Sequence, residues 1–135
     1  MKDSPKLNTL SELFGETIYS YSRAQAIEDG YLIDVSTMAQ EAGIRFPVAL
    51  TRAVWDEYIT PDERSLKYGQ SEEGRLWDTL WMFRVAARRT QTDTLHYQLF
   101  FIMKKRQRRL ITLKAVIGPG DDAYPVITIM KPEED

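Results

Sequence analysis

Three β-rich stretches joined by two short links constrain this chain more than any other feature in it. Leu95 to Met103 and Leu110 to Ile117 are dense in aromatic and β-preferring residues, and the basic run Lys104 to Arg109 joins them. Two such runs held apart by a short polar link predict an antiparallel hairpin. Gly118-Pro119-Gly120-Asp121-Asp122 then supplies turn chemistry ahead of Tyr124 to Met130, so a third strand is expected and the unit closes as a meander. Pro125 has no amide hydrogen to give a ladder, which puts it at that strand's start or on an edge.

The residues before the meander read mainly as helix. Ser71 is predicted to cap the longest one, Glu72 to Arg89, with Leu76, Leu80, Phe83 and Ala87 in one apolar row and Trp77, Trp81 and Val85 in the next. Its acidic first turn and basic last turn complement the helix dipole. Upstream, Ser22 and Gln25 have capping-box spacing and Gly30 stops the helix they open. Ser36 is expected to cap a brief helix that Gly43 ends. Phe46-Pro47 is expected to open a third, with Val48, Leu50, Thr51, Val54, Trp55 and Tyr58 on its apolar side, stopping near Thr60 because Pro61 follows. Pro61 to Gln70 reads as a surface loop. Thr17 to Tyr21 and Tyr31 to Val35 read as short strands.

The predicted fold class is therefore α+β: a helical N-terminal half packed on a C-terminal antiparallel β-meander, with short N-terminal strands joining the sheet. Residues 1–12 are expected to form a polar lead-in, 13–131 one domain and 132–135 a mobile acidic tail. A chain of 135 residues with 43% apolar content has enough material for a single sizeable core.

Composition excludes several chemistries. There is no cysteine, which removes disulfides, thiolate metal sites and a thiol nucleophile, and suits a reducing cytoplasm. No apolar run approaches the roughly 20 residues that span a bilayer, so no membrane association is expected. His96 is the single histidine and reads as an ordinary, partly buried strand residue rather than a catalyst or ligand. Carboxylates are numerous but none has metal or glycosidase spacing. Asp78, between Trp77 and Trp81, is the one expected to be partly desolvated, paired with Arg52 or Arg75. No phosphate-binding loop, nucleophile elbow or dinucleotide fingerprint occurs, and no cofactor is implied.

Charge is unevenly spread along the chain. Residues 1–83 hold 8 Lys/Arg against 14 Asp/Glu, residues 84–114 hold 9 against 1, and residues 115–135 hold 1 against 5. Lys104, Lys105, Arg106, Arg108 and Arg109 fall on the predicted hairpin, with Lys114 beyond it and Arg84, Arg88 and Arg89 entering from the preceding helix. Such a concentration of cations has a field able to engage nucleic-acid phosphates or an acidic protein surface. The plainer alternative is a solvated turn that offsets an acidic remainder. Tyr97, Phe100 and Phe101 flank the run; exposed, they would stack on bases, and as strand residues they would pack the core. The expected function is thus non-catalytic binding, with either DNA or RNA, or a protein complex, as the partner.

Four stretches carry a resemblance: Tyr21 to Gly30, Phe46 to Trp55, Gly74 to Trp81, and Gly118 to Asp122 with Pro125 to Met130. Together they resemble a family of uncharacterised small bacterial proteins carried by phages, prophages and plasmids, over Phe14 to Met130. The resemblance implies an accessory protein of a mobile element, a class that often binds and blocks host defence machinery, CRISPR effectors included. It implies no site residues. The order of elements around Tyr19 to Arg23 is also similar to ADP-ribosyltransferase-like folds, which leaves a small enzyme of that kind as an alternative; it would need a carboxylate from a late strand, whereas Glu133 and Glu134 fall in the tail.

Overall fold

The computed structural model describes residues 21–67, 69–104 and 107–135. The predicted strand at Thr17 to Tyr21 and the lead-in 1–12 lie outside these residues, apart from Tyr21 itself. The elements are α1 (Arg23–Glu28), β1 (Leu32–Asp34), α2 (Ser36–Glu41), β2 (Val48–Thr51), α3 (Arg52–Val54) running into a π-helical turn (Trp55–Ile59), α4 (Glu63–Leu66), α5 (Glu72–Ala87), β3 (Thr94–Lys104), β4 (Gln107–Pro119) and β5 (Pro125–Met130). No helix among them is long and apolar enough to cross a membrane.

The five strands form one sheet in the order β1-β2-β5-β4-β3. The meander β3-β4-β5 is antiparallel as expected, and β1 joins the sheet. The sheet is nevertheless mixed, because β2 lies parallel to β5 with Val48 opposite Ile127 and Leu50 opposite Ile129. β2 occupies the residues expected to open a helix at Phe46-Pro47. Val48, Ala49 and Leu50 are all fully buried, a continuous apolar run that fits a central strand covered on both faces and not one stripe of a helix. The helix begins only at Arg52, where the Thr51 hydroxyl accepts from the Val54 amide. The N-terminal half is therefore not simply helical; among the described residues it contributes two of the five strands.

The cap of α1 and the glycine stops of α1 and α2 stand where the sequence predicts them. Ser22 and Gln25 complete a capping box. Gly30 and Gly43 sit at φ +86° and +93° after α1 and α2, in six-to-one and five-to-two hydrogen-bonded endings that need a left-handed residue. Ser36 does not cap α2. It is the first helical residue, and its hydroxyl bridges Asp34 and the Val48 amide, tying β1 to β2. Within 61–70, read as loop, α4 makes one short turn of helix.

α5 covers one sheet face through Leu76, Leu80 and Phe83, which pack against Leu95, Tyr97, Leu99, Phe101 and Leu113. The expected second core row does not exist: Trp77, Trp81 and Val85 point outward, 37, 40 and 37% exposed. A charged group is sealed beneath α5. Arg75, 2% exposed, donates to the carbonyls of Tyr58 (2.9 Å) and Ile102 (2.8 Å) and to the Gln70 side chain (3.1 Å), with its guanidinium 5.2 Å from the centre of the Phe101 ring.

Two carboxylates tie down the chain at the two ends of β5. Asp121, in the β4–β5 turn, accepts from the amides of Arg23 and Ala24, and these bonds hold its carboxyl below the usual range. Glu134 accepts from the Thr51 hydroxyl and the Lys131 amide, so the acidic tail is folded back onto β2 and is not the mobile segment expected. Lys131 also reaches Glu57 at 2.6 Å, and this hydrogen bond is the main reason the Glu57 carboxyl titrates below its ordinary value. A carboxyl lowered on folding adds stability above its unfolded value of about 4.3, and that contribution disappears as pH falls through the folded one. Glu57→Gln is accordingly expected to flatten the acid limb of stability against pH, measured as urea midpoints between pH 2 and 7.

A candidate nucleic-acid interface on the hairpin

β3 and β4 are longer than the sheet they belong to. β5 pairs with β4 only from Lys114 to Pro119, so β3 from Tyr97 and β4 up to Leu113 run on as a two-stranded ribbon. Side chains alternate along it. Tyr97, Leu99 and Phe101, with Ile111 and Leu113 opposite, are buried; the Tyr97 hydroxyl donates to the Thr79 carbonyl, fixing the ribbon to α5. The other face holds cross-strand pairs His96 with Lys114, Gln98 with Thr112, Phe100 with Leu110, and Ile102 with Arg108. Phe100 is 54% and Leu110 48% exposed. An irregularity between Ile102 and Lys104 shifts the register just before the basic tip.

The basic residues do not form the single patch that their order suggested. Lys104 ends β3, while Lys105 and Arg106 lie outside the described residues. Arg108 is on the open face, its guanidinium 4.8 Å from the Phe100 ring centre. Arg109 belongs to the opposite face, 5.5 Å from the ring centre of Tyr58 and 3.9 Å from Glu57, so part of its charge is offset. Lys114 donates to the Glu134 carbonyl. Arg88 and Arg89 follow the C-terminal end of α5, whose start meets Ile102 through Arg75. The antiparallel run of α5 against β3 sets those two arginines near Thr94, roughly 30 Å along the strand from Lys104.

A trough follows the outer edge of β3. One stretch, about 470 Å³, is lined by Asp78, Trp81, Met82 and Phe100 among others, and a second, about 490 Å³, by Val85, His96, Gln98 and Thr112. Trp77 stacks on Trp81 with centroids 6.0 Å apart and planes 14° from parallel, and Arg84 lies 5.2 Å from the Trp81 ring centre. His96 is exposed, not partly buried. Asp78 is exposed, and the partial desolvation it does undergo raises its carboxyl; the bonds of Arg75 described above go to carbonyls and an amide, and Arg52 pairs with Asp56.

The arrangement can stack planar groups on Phe100 and Trp81 and offer Gln98, Thr112 and His96 as hydrogen-bonding groups beside them, with the Arg108 guanidinium next to Phe100. Among the described residues no group of three or more His, Asp or Glu is placed to hold a metal ion. The exposed tryptophans and Leu110 were not foreseen as surface. The signal was present for Phe100, which shares the parity of His96 and Gln98 and not that of Leu95, Tyr97 and Leu99.

No curated protein and no solved structure matches the chain. Residues 11–135 match the family described as "Family of unknown function (DUF6573)", and with nearly the whole chain covered, the protein belongs to that family.

Proposed function

We propose that the protein is a non-catalytic accessory protein that binds single-stranded nucleic acid on the open face and basic end of the β3–β4 ribbon. The observation that carries this reading is the Arg108–Phe100 pair: an exposed aromatic ring on a sheet face, with a guanidinium beside it. Stacking on such a ring is sequence-tolerant and contributes about 1–3 kcal/mol per base, while the cations follow the backbone. Gln98, Thr112 and His96 supply donors and acceptors on the same surface. The resemblance to proteins of phages and plasmids supports a role on a mobile element, with inhibition of a host defence complex as one form it would take.

Fluorescence anisotropy with labelled oligo(dT) tests this at several salt concentrations. Phe100→Ala is expected to weaken binding about tenfold with little change in salt dependence, as loss of one stacked base predicts. Arg108→Ala is expected to lower the salt slope by about 0.7, the value for one contact to a single-strand phosphate. Unchanged affinity in both variants would refute the reading, and retention of a protein by both would favour a protein partner.

A further inference from the structure

The arginines that the fold separates from the hairpin surround a different feature. Alongside the last turns of α5 is a groove of about 300 Å³, open to solvent. Ile44, Phe46, Phe83, Ala87, Ile117 and Ile127 form its floor, and Arg45, Arg84 and Arg88 stand around it. Phe46 is braced edge-on by Tyr124, with centroids 5.9 Å apart. Arg84 lies close against the backbone of Gly43, where a Cβ would come within 2.7 Å of its Nε. None of the three guanidinia forms an ion pair among the described residues; Arg45 lies 5.6 Å from the ring centre of Phe46 and Arg84 5.2 Å from that of Trp81.

The dipole of α5 gives these cations part of their reason to be here, since its C-terminal end favours positive charge. It does not explain an apolar floor between them, nor Arg45, which is not on that helix. We infer that this groove is a second binding site, for a partner protein's acidic segment that inserts one aromatic side chain between the arginines. Charge complementarity selects the flanks of the segment, and the floor selects its anchor. A nucleic-acid strand fits less well, because the floor offers no side-chain donor or acceptor to a base edge. A groove this open would also leave a small ligand largely in water, whereas a peptide needs only its anchor buried.

The probes are the peptides acetyl-Glu-Asp-Trp-Asp-Glu-amide, its Trp→Ala form and its Gln/Asn form, titrated into isotope-labelled protein and followed by amide shifts. The first is expected to move the amides of Ile44, Ala87 and Ile117, with the other two binding at least about tenfold more weakly, the loss typical of an anchor or of charge-assisted contacts. Arg45→Gln and Arg88→Gln, both on exposed side chains, are expected to weaken it several-fold. Ala87→Trp should block it while circular dichroism stays that of the parent protein, and Phe100→Ala should leave it unchanged. Shifts centred on the hairpin, equal affinity for the Trp and Ala peptides, displacement from the groove by oligo(dT), or no binding up to millimolar peptide would each overturn the inference. Because Phe100 is not part of this groove, a failure here is distinct from failure of the nucleic-acid reading.

Discussion

Replacing Arg75 with methionine is expected to cost the fold about 3 kcal/mol, among the largest losses available to a single substitution outside the aliphatic core. Methionine follows the stem of the arginine and leaves little empty space, so the loss is not one of packing. It is the orphaning of acceptors: the carbonyls of Tyr58 and Ile102 and the Gln70 amide oxygen each lose their donor. A buried acceptor left unpaired costs about 1–3 kcal/mol. Burial works against the charged guanidinium and lowers its affinity for the proton, yet arginine stays charged, and its planar fork serves three partners at once. Arg75→Lys keeps the charge as a compact head and should recover only part of the loss. Urea midpoints give the comparison, and hydrogen exchange at Ile102 gives its location. A methionine variant within 0.5 kcal/mol of the parent would mean that water reaches these carbonyls.

Ala49→Glu is expected to abolish folding under ordinary conditions. Were 46–60 a single surface helix, residue 49 would fall off its apolar side and accept a glutamate without consequence. In the strand it is fully buried, opposite Asp34 on β1 and Thr128 on β5. A longer side chain there overpacks by about 1–3 kcal/mol, and an unpaired carboxylate adds several more. The sum approaches the 5–15 kcal/mol of an ordinary domain's entire stability. Ala49→Ser, nearly the same size, separates the terms and should be tolerated with a modest loss. Loss of the cooperative thermal transition in the glutamate variant, with retention in the serine variant, is the expected pair of results. A well-folded glutamate variant would refute the placement of β2.

The groups on the open ribbon face and around the groove at the end of α5 differ in how visible they are in the sequence. Arg108 and Lys104 stand out by charge alone. Phe100 is legible through its parity with His96 and Gln98. The exposure of Trp77 and Trp81 is not, because a tryptophan row at helical spacing reads equally as a second core stripe; only the position of β3 under one side of α5 leaves the other side in solvent. Arg45, Arg84 and Arg88 are spread over more than forty residues, and nothing local relates them.

The sequence by itself determined what depends on neighbours along the chain. The Ser22 capping box, the left-handed glycines after α1 and α2, the Ser71 cap and the turn between β4 and β5 all rest on hydrogen bonds and φ values set within a few residues. Tertiary structure decided the rest. Val48 to Thr51 becomes a strand because β1 and β5 are there to satisfy its backbone on both edges, which outweighs a local pattern compatible with helix. It likewise turned one run of positive charge into two surfaces, since an antiparallel helix and strand that are adjacent in sequence are far apart at their opposite ends.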